Sequence, residues 1–425
     1  MVPRMNRSLP IAALLALAAC APPPPAAPAP NPAELASLYR ARDCFGLRDA
    51  LRDARGDLSF YRAAEASAFD RADDAVAHAR RFTESPAARG DTLLGEAYSI
   101  MGEAHARAYR YADAARAYSA ALTHVRDSAA RAEAENAAGL WGALAAVPPQ
   151  TVERAPEVRL ETARDKAGLL TTQVEVGGKR LPFVWDTGAG LSTISDSTAV
   201  EMGLRIVEAA VQVGSITGTR TPARLAIAPE LRIGGATVRN AVFLVLPAAR
   251  LSFPQIDYRI HGIVGYPVIA ALGPTTYLRA GGIVLEAPAA ASRPGAASNL
   301  CLDGMSPRLA IGHAGRRMHV GLDTGAQTTS LFPPFLAANR EEVMKGTETT
   351  VGIGGAAGVR RVRAYTLSSV QLDVAGRAVT LQNVRVLSEP TMERSEFLFG
   401  NLGQDVFSQL ESMTLDFRAM EMRAR

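Results

Sequence analysis

The run Asp-Thr-Gly-Ala occurs twice in this 425-residue chain, within FVWDTGAGLSTIS (183–195) and within VGLDTGAQTTSLF (320–332). Each copy sets a carboxylate between two apolar runs. One such run in a chain of this length is an ordinary turn. Two in the same local setting make Asp186 and Asp323 candidates for a single chemical unit. Carboxyl groups held face to face cannot both ionise easily, so the pair keeps one proton between them. The ionised member can take a proton from water while the protonated member donates to a carbonyl oxygen. That chemistry activates water without a metal ion or a covalent intermediate, and its titration belongs to the pair. The neighbours agree with this use. Gly188 and Gly325 permit a tight turn that leaves backbone N–H groups facing the carboxylates. Thr187 and Thr324 carry hydroxyls able to bond across an interface.

Two such groups need two copies of one scaffold, and the second half of the chain is written twice. Gly214 in VGSITG matches Gly352 in VGIGGA, and ELRIGGATVRNAVFLVL (230–246) matches SVQLDVAGRAVTLQNVRVL (369–387). Gly265 in GIVGYPVI matches Gly403 in GNLGQDVF, and Arg279 matches Arg418. These landmarks and the aspartates hold register to within two residues. Hydroxyls also recur after each DTGA, at Ser192 and Thr329. The order in each copy is a strand, DTGA, a short helix, a glycine hairpin, further strands and an apolar-apolar-Gly element. β-Branched alternation broken by glycine turns marks the whole region as all-β. Two lobes are expected, 158–286 and 299–425, joined by APAAASRPGAAS (287–298).

Ahead of them the texture is helical. Residues 33–146 are rich in Ala, Arg and Glu, with apolar positions at helical spacing. The segment AYSIMGEAHARAYRYADAARAYSAAL (97–122) alternates small and large residues and resembles one tetratricopeptide repeat, implying stacked helical hairpins. Such a region is either a surface for a protein partner or a packing support. VPPQTVERAPE (147–157) breaks the helical pattern with prolines and is read as the boundary. At the start, Arg4 and Arg7 precede a short apolar run ending Leu17-Ala18-Ala19-Cys20. This resembles a bacterial lipoprotein signal (1–19) with Cys20 as the lipidated residue, which implies a membrane anchor. Ala21 rather than Asp follows, which in that resemblance favours the periplasmic side of the outer membrane. The Pro/Ala-rich residues 20–32 read as an extended linker. The other two cysteines, Cys44 and Cys301, fall in different domains and are expected to stay unpaired.

The region from about 160 to 425 resembles the aspartic peptidases of the retropepsin-like type. The motifs that carry the likeness are paired DTGA runs, a Ser or Thr three residues beyond each Ala, and a downstream apolar-apolar-Gly. The implied architecture is an all-α TPR-like region followed by an all-β, two-lobed aspartic-protease fold. The likeness implies Asp186 and Asp323 as catalytic residues, with Thr187, Gly188, Ala189, Thr324, Gly325 and Ala326 as their support. It implies that Gly265 and Gly403 pass beneath the aspartate loops. It also implies flap tips around Gly214, Ser215 and Ile216 and around Gly352, Ile353 and Gly354. An extended peptide would add there as a strand. Ala189 and Ala326 stand where pepsin-like enzymes carry a hydroxyl, so a dyad titrating above the pepsin range is expected. Asn401 departs from the pattern, since lobe one has Ile263 at the matching place. It either loosens the support under Asp323 or finds a backbone partner.

Other chemistry finds little footing. Net charge is +4 with a pI near 9.1, yet the basic residues form no stripe that could track a phosphate backbone. No nucleic acid is expected. The six histidines lack metal spacing, and no phosphate-cradling loop stands in the right context. No cofactor or metal is expected. The expected activity is hydrolysis of peptide bonds in a peptide or protein substrate. The alternative is an inactive relative that binds peptides or envelope proteins.

Overall fold

The computed structural model describes residues 31–425 except 89, 215–219, 288–292, 296, 356–357 and 392–394. The lipoprotein signal, Cys20, most of the Pro/Ala linker, Ser215 and Ile216 lie outside the described residues.

Seven helices open the described chain: α1 (Pro32–Arg40), α2 (Cys44–Leu51), α3 (Ser59–Ala68), α4 (Ala72–Glu84), α5 (Leu94–Arg107), α6 (Tyr111–Ala121) and α7 (Ser128–Ala143). Side-chain caps begin several of them, Asn31 for α1, Asp43 for α2 and Asp127 for α7, each satisfying a backbone N–H that the first turn leaves free. Successive helices pack on one another in chain order from α3 to α7. A buried cluster of small, aliphatic and aromatic residues, Phe60, Ala63, Ala97, Ile100, Met101 and Ala117 among them, runs between α3, α5 and α6.

The helical region is followed by a β-rich region, and the two are fastened together. Arg107, almost fully buried, donates to Asp70 and Ser67 within the helices and to the Gly304 carbonyl of lobe two at 2.8 Å. Tyr109 Oη and Gln150 Nε2 both donate to the Pro267 carbonyl of lobe one. Arg42 pairs with Asp303 at 2.6 Å and Arg317 with Asp49 at 2.8 Å. A disulfide joins Cys44 to Cys301. The expectation that these cysteines stay unpaired is therefore corrected. Helix packing lays the start of α2 against the first strand of lobe two, Leu300–Asp303, and local sequence carries no sign of that long-range placement.

Each lobe is built on one large sheet, and lobe one adds a two-stranded ribbon, Ser252–Phe253 with Tyr258–Arg259. In lobe one the strand Lys179–Trp185 lies between Leu170–Val176 and Gly262–Val264, and the hairpin Arg220–Ile233/Ala236–Leu246 extends the sheet. In lobe two Arg316–Leu322 lies between Ser306–His313 and Gly400–Leu402, with the hairpin Gly358–Val374/Arg377–Leu387 beyond. The duplication read from the landmarks is thus a duplication of topology. The boundary segment needs one correction. Thr151–Arg154, read as part of a breaker, forms an edge strand antiparallel to Ala236–Leu246, so lobe one begins before residue 158.

A five-stranded sheet belongs to neither lobe alone. Its strand order is Val158–Leu160, Ile283–Leu285, Thr275–Leu278, Ser412–Asp416, Glu421–Ala424. The first three strands come from lobe one and the last two from lobe two. They meet at the pairing of Thr275–Leu278 with Ser412–Asp416, where Thr276 and Thr414 hydroxyls lie 2.6 Å apart.

Candidate active site

Each aspartate sits at the end of a buried strand. Trp185 and Leu322, the residues just before them, are buried. Asp186 N donates to the Val264 carbonyl at 3.0 Å, and Asp323 N donates to the Leu402 carbonyl at 3.1 Å. The apolar-apolar-Gly elements therefore run parallel to the aspartate strands and hold the loop bases. The glycines that end them, Gly265 and Gly403, lie against the undersides of the loops. A Cβ at either would fall 2.6–2.7 Å from loop backbone, at Leu191 and Thr328. Past the glycines, Tyr266 N and Gln404 N donate to the Ala189 and Ala326 carbonyls at 2.8 and 2.9 Å. Ser192 Oγ and Thr329 Oγ1 accept from Gly265 N and Gly403 N, both at 3.1 Å. The recurring hydroxyls thus fasten each loop to the element below it.

Between the lobes the two loops interlock reciprocally. Thr187 N donates to Thr324 Oγ1 and Thr324 N to Thr187 Oγ1, each at 3.1 Å. Thr187 Oγ1 donates to the Leu322 carbonyl at 2.8 Å, and Thr324 Oγ1 to the Trp185 carbonyl at 2.9 Å. Both threonines are buried, so these bonds act where water does not compete. The glycines that follow are cradles. A Cβ on Gly188 would fall 2.7 Å from Asp323 Cγ, and one on Gly325 would fall 2.4 Å from Asp186 Cγ. Each loop thus admits the other's carboxyl group only because it carries glycine there.

This places Asp186 and Asp323 side by side. Gly188 N donates to Asp186 Oδ1 at 2.8 Å, and Gly325 N to Asp323 Oδ1 at 2.9 Å. Both aspartates keep a partly exposed face, yet the protein around them is dense. Burial, then the charge of Asp323 and a hydrogen bond with it, push the Asp186 carboxyl well above the usual carboxylate range. Backbone N–H groups of Gly188 and Ala189 offset part of that rise.

Beneath the dyad, Trp185 Nε1 donates to Tyr277 Oη at 2.8 Å, which ties lobe one's aspartate strand to the shared sheet. Burial pushes the Tyr277 hydroxyl up, so it stays protonated.

Residues 172–268 match the family model described as Aspartyl protease. The matched stretch runs from the strand before Asp186 to just past Gly265, so it holds one complete set of the elements just described. No curated protein matches the chain. The aspartyl protease domain supports a hydrolase of the protease type. The second set of elements lies outside the matched stretch and rests on the internal repeat and the shared geometry.

Around this domain the structure brings together all the residues singled out at the two loops and beneath them. Of the residues expected at flap tips, the described ones take no part in the hydrogen bonds found at Asp186 and Asp323. Gly214 ends the strand Ile206–Gly214 opposite Arg220, and Gly352, Ile353 and Gly354 pair with Arg361, Arg360 and Val359. Ile353 packs against Phe332, Val362 and Leu387.

Of four further participants, the sequence reading flags Asn401 alone and misses the other three. Asn401 Nδ2 donates to Asp323 Oδ2 at 2.7 Å. It neither loosens the support nor turns to the backbone, and both expectations for it are corrected. Gln404 Nε2 donates to the Thr324 carbonyl at 2.8 Å, and Asp405 accepts from both Thr329 N and Thr329 Oγ1. Tyr277 is the fourth. Gln404 and Asp405 match Tyr266 and Pro267 in lobe one. Searching for likeness between copies hides residues that differ between them.

Proposed function

We propose that this chain is an aspartic endopeptidase in which Asp186 and Asp323 activate one water molecule against a peptide bond. The observation that carries this reading is the reciprocal Thr187–Thr324 interlock, which sets the two carboxyl groups against each other with a glycine N–H on each. One member ionised and one protonated is the state from which water can be deprotonated and the scissile carbonyl protonated in the same step. Fixed N–H groups hold the carboxylates in place before substrate arrives, so little reorganisation is needed during reaction. An extended substrate would lie between the hairpin ends at Gly214 and at Gly352–Gly354, pairing as an added strand.

The location follows the same line. The Leu17–Cys20 run supports lipidation at Cys20 and a tether on the periplasmic face of a bacterial outer membrane. The Cys44–Cys301 bond suits an oxidising compartment. A protein partner on the outer helical surface would bring substrate to the paired aspartates. The deciding experiment is cleavage of a mixed peptide library, with mass-spectrometric readout, by wild type and by Asp186→Asn and Asp323→Asn. Cleavage by wild type, lost by a factor of at least ~10³ in both variants, is the expected outcome. If wild type cuts nothing while all three bind peptides equally, the protein is a binding scaffold instead.

A further inference from the structure

The two copies differ at one ladder position directly under the dyad. In lobe one Val184 stands opposite Ile263 in the parallel strand pair. In lobe two the matching pair is Gly321 opposite Asn401. Both members have changed, and the geometry links the changes. A Cβ on Gly321 would fall 2.4 Å from Asn401 Oδ1, so the carboxamide has its seat only above a glycine. From that seat, buried at 8% exposure, Asn401 Nδ2 reaches Asp323 Oδ2. The other oxygen of Asp323 already accepts from Gly325 N. Ile263 carries no donor, so lobe one offers Asp186 nothing equivalent from this position. A donor fixed on a carboxylate oxygen stabilises its charged form, and more so away from bulk water.

We propose that Asn401, seated by Gly321, is a positioning residue that breaks the symmetry of the dyad, fixing the negative charge on Asp323 and the shared proton on Asp186. The proposal rests on the peptidase reading above and gives each aspartate one role. The water oxygen bonds to the carbonyl carbon, a water proton passes to Asp323, and the Asp186 proton passes to the carbonyl oxygen. In the second half, the C–N bond breaks as Asp323 returns its proton to the nitrogen. The new carbonyl forms as Asp186 recovers a proton from the diol, and both groups end as they began.

The test is carboxyl titration followed by carbon-13 NMR of the full chain labelled at aspartate Cγ. It needs no substrate. Asn401→Leu removes the donor at nearly constant shape, and Gly321→Ala displaces the carboxamide without touching Asn401. In an Asp186→Asn background, which isolates Asp323, each is expected to raise the midpoint of the Asp323 resonance by about one pH unit, as one charge-assisted hydrogen bond should. In an Asp323→Asn background neither should move Asp186. Where cleavage is measurable, the acid limb of kcat/KM should shift upward by the same amount while the alkaline limb stays. If either folded variant leaves the Asp323 midpoint unmoved, or if Asp186 shifts equally, the assignment is wrong. A shift of the expected size in a protein that cleaves nothing would refute the peptidase reading and keep the charge assignment.

Discussion

Thr187 and Thr324 each accept one hydrogen bond from the opposite loop and donate one to the opposite strand. Replacing Thr187 with Val keeps the shape and strands two buried partners, Thr324 N and the Leu322 carbonyl. Each unsatisfied group costs about 1–3 kcal/mol. Chemical denaturation should report a loss of that order for Thr187→Val and for Thr324→Val. The double variant should lose less than the sum, because the two side chains share one network. Asp186 gives a second prediction, with the sign fixed by its raised carboxyl. A group that titrates higher folded than unfolded keeps its full stabilising share at pH below the unfolded value. That share is lost as pH climbs through the folded value. The interval therefore begins in the ordinary Asp range near pH 4 and ends above it. Asp186→Asn removes this loss, so at neutral pH it should melt higher than wild type, by roughly 1 °C per kcal/mol relieved in a chain of this length. The gain should vanish on acidification toward pH 4. A melting difference independent of pH would contradict the burial of that carboxyl. At this scale the aspartates, threonines and glycines were legible because each belongs to a motif written twice. Asn401 was visible only as a mismatch, since its partner depends on Gly321, eighty positions upstream, having vacated space.

Helix α7 touches the site's surroundings through one side chain and one face. Asn136 Nδ2 donates to the Gln212 carbonyl at 2.9 Å and Gln212 N donates to Asn136 Oδ1 at 2.7 Å, so a carboxamide occupies the place of a neighbouring strand. Trp141, Ala137 and Leu140 pack beside Val211, Val207 and Val213. The strand Ile206–Gly214, which leads to the first hairpin tip, is thus held by the helical region. The described residues give the matching strand of lobe two, Thr347–Gly355, no such helix. Asn136→Ala should cost only about 0.5–1.5 kcal/mol, since the bond is exposed. Hydrogen exchange at Gln212 should nevertheless quicken severalfold while the Thr347–Gly355 amides stay unchanged. Equal change in both strands would mean that α7 does not hold the first one selectively. Helical and β texture were readable from periodicity along the whole chain. Which helix face meets which strand was not, because amphipathic spacing reports that a face is buried and is silent on its partner. Thr151–Arg154 was missed for a related reason. Flanking prolines dominate a short segment, although an edge strand tolerates them.

The whole molecule is fastened at two levels, by the sheet that both lobes build and by the bond between Cys44 and Cys301. The bond closes a loop with a sequence separation of 257 residues, and cross-links of this kind restrict the unfolded chain most when the loop is long. Cys44→Ser with Cys301→Ser should lower stability by about 2–5 kcal/mol, read by denaturant unfolding with and without reductant. Reductant should leave the double variant unaffected. If wild type and variant unfold alike, the helices are held by packing and ion pairs alone. The shared sheet and the bond were both illegible beforehand, since each joins segments distant in sequence that local patterning treats independently. Lobe one lies entirely inside the covalent ring so formed. A single protease nick anywhere between positions 45 and 300, for instance trypsin at the exposed Arg205, severs the backbone without releasing a fragment. Such a molecule would migrate intact on a non-reducing gel and separate into two pieces once thiol is added.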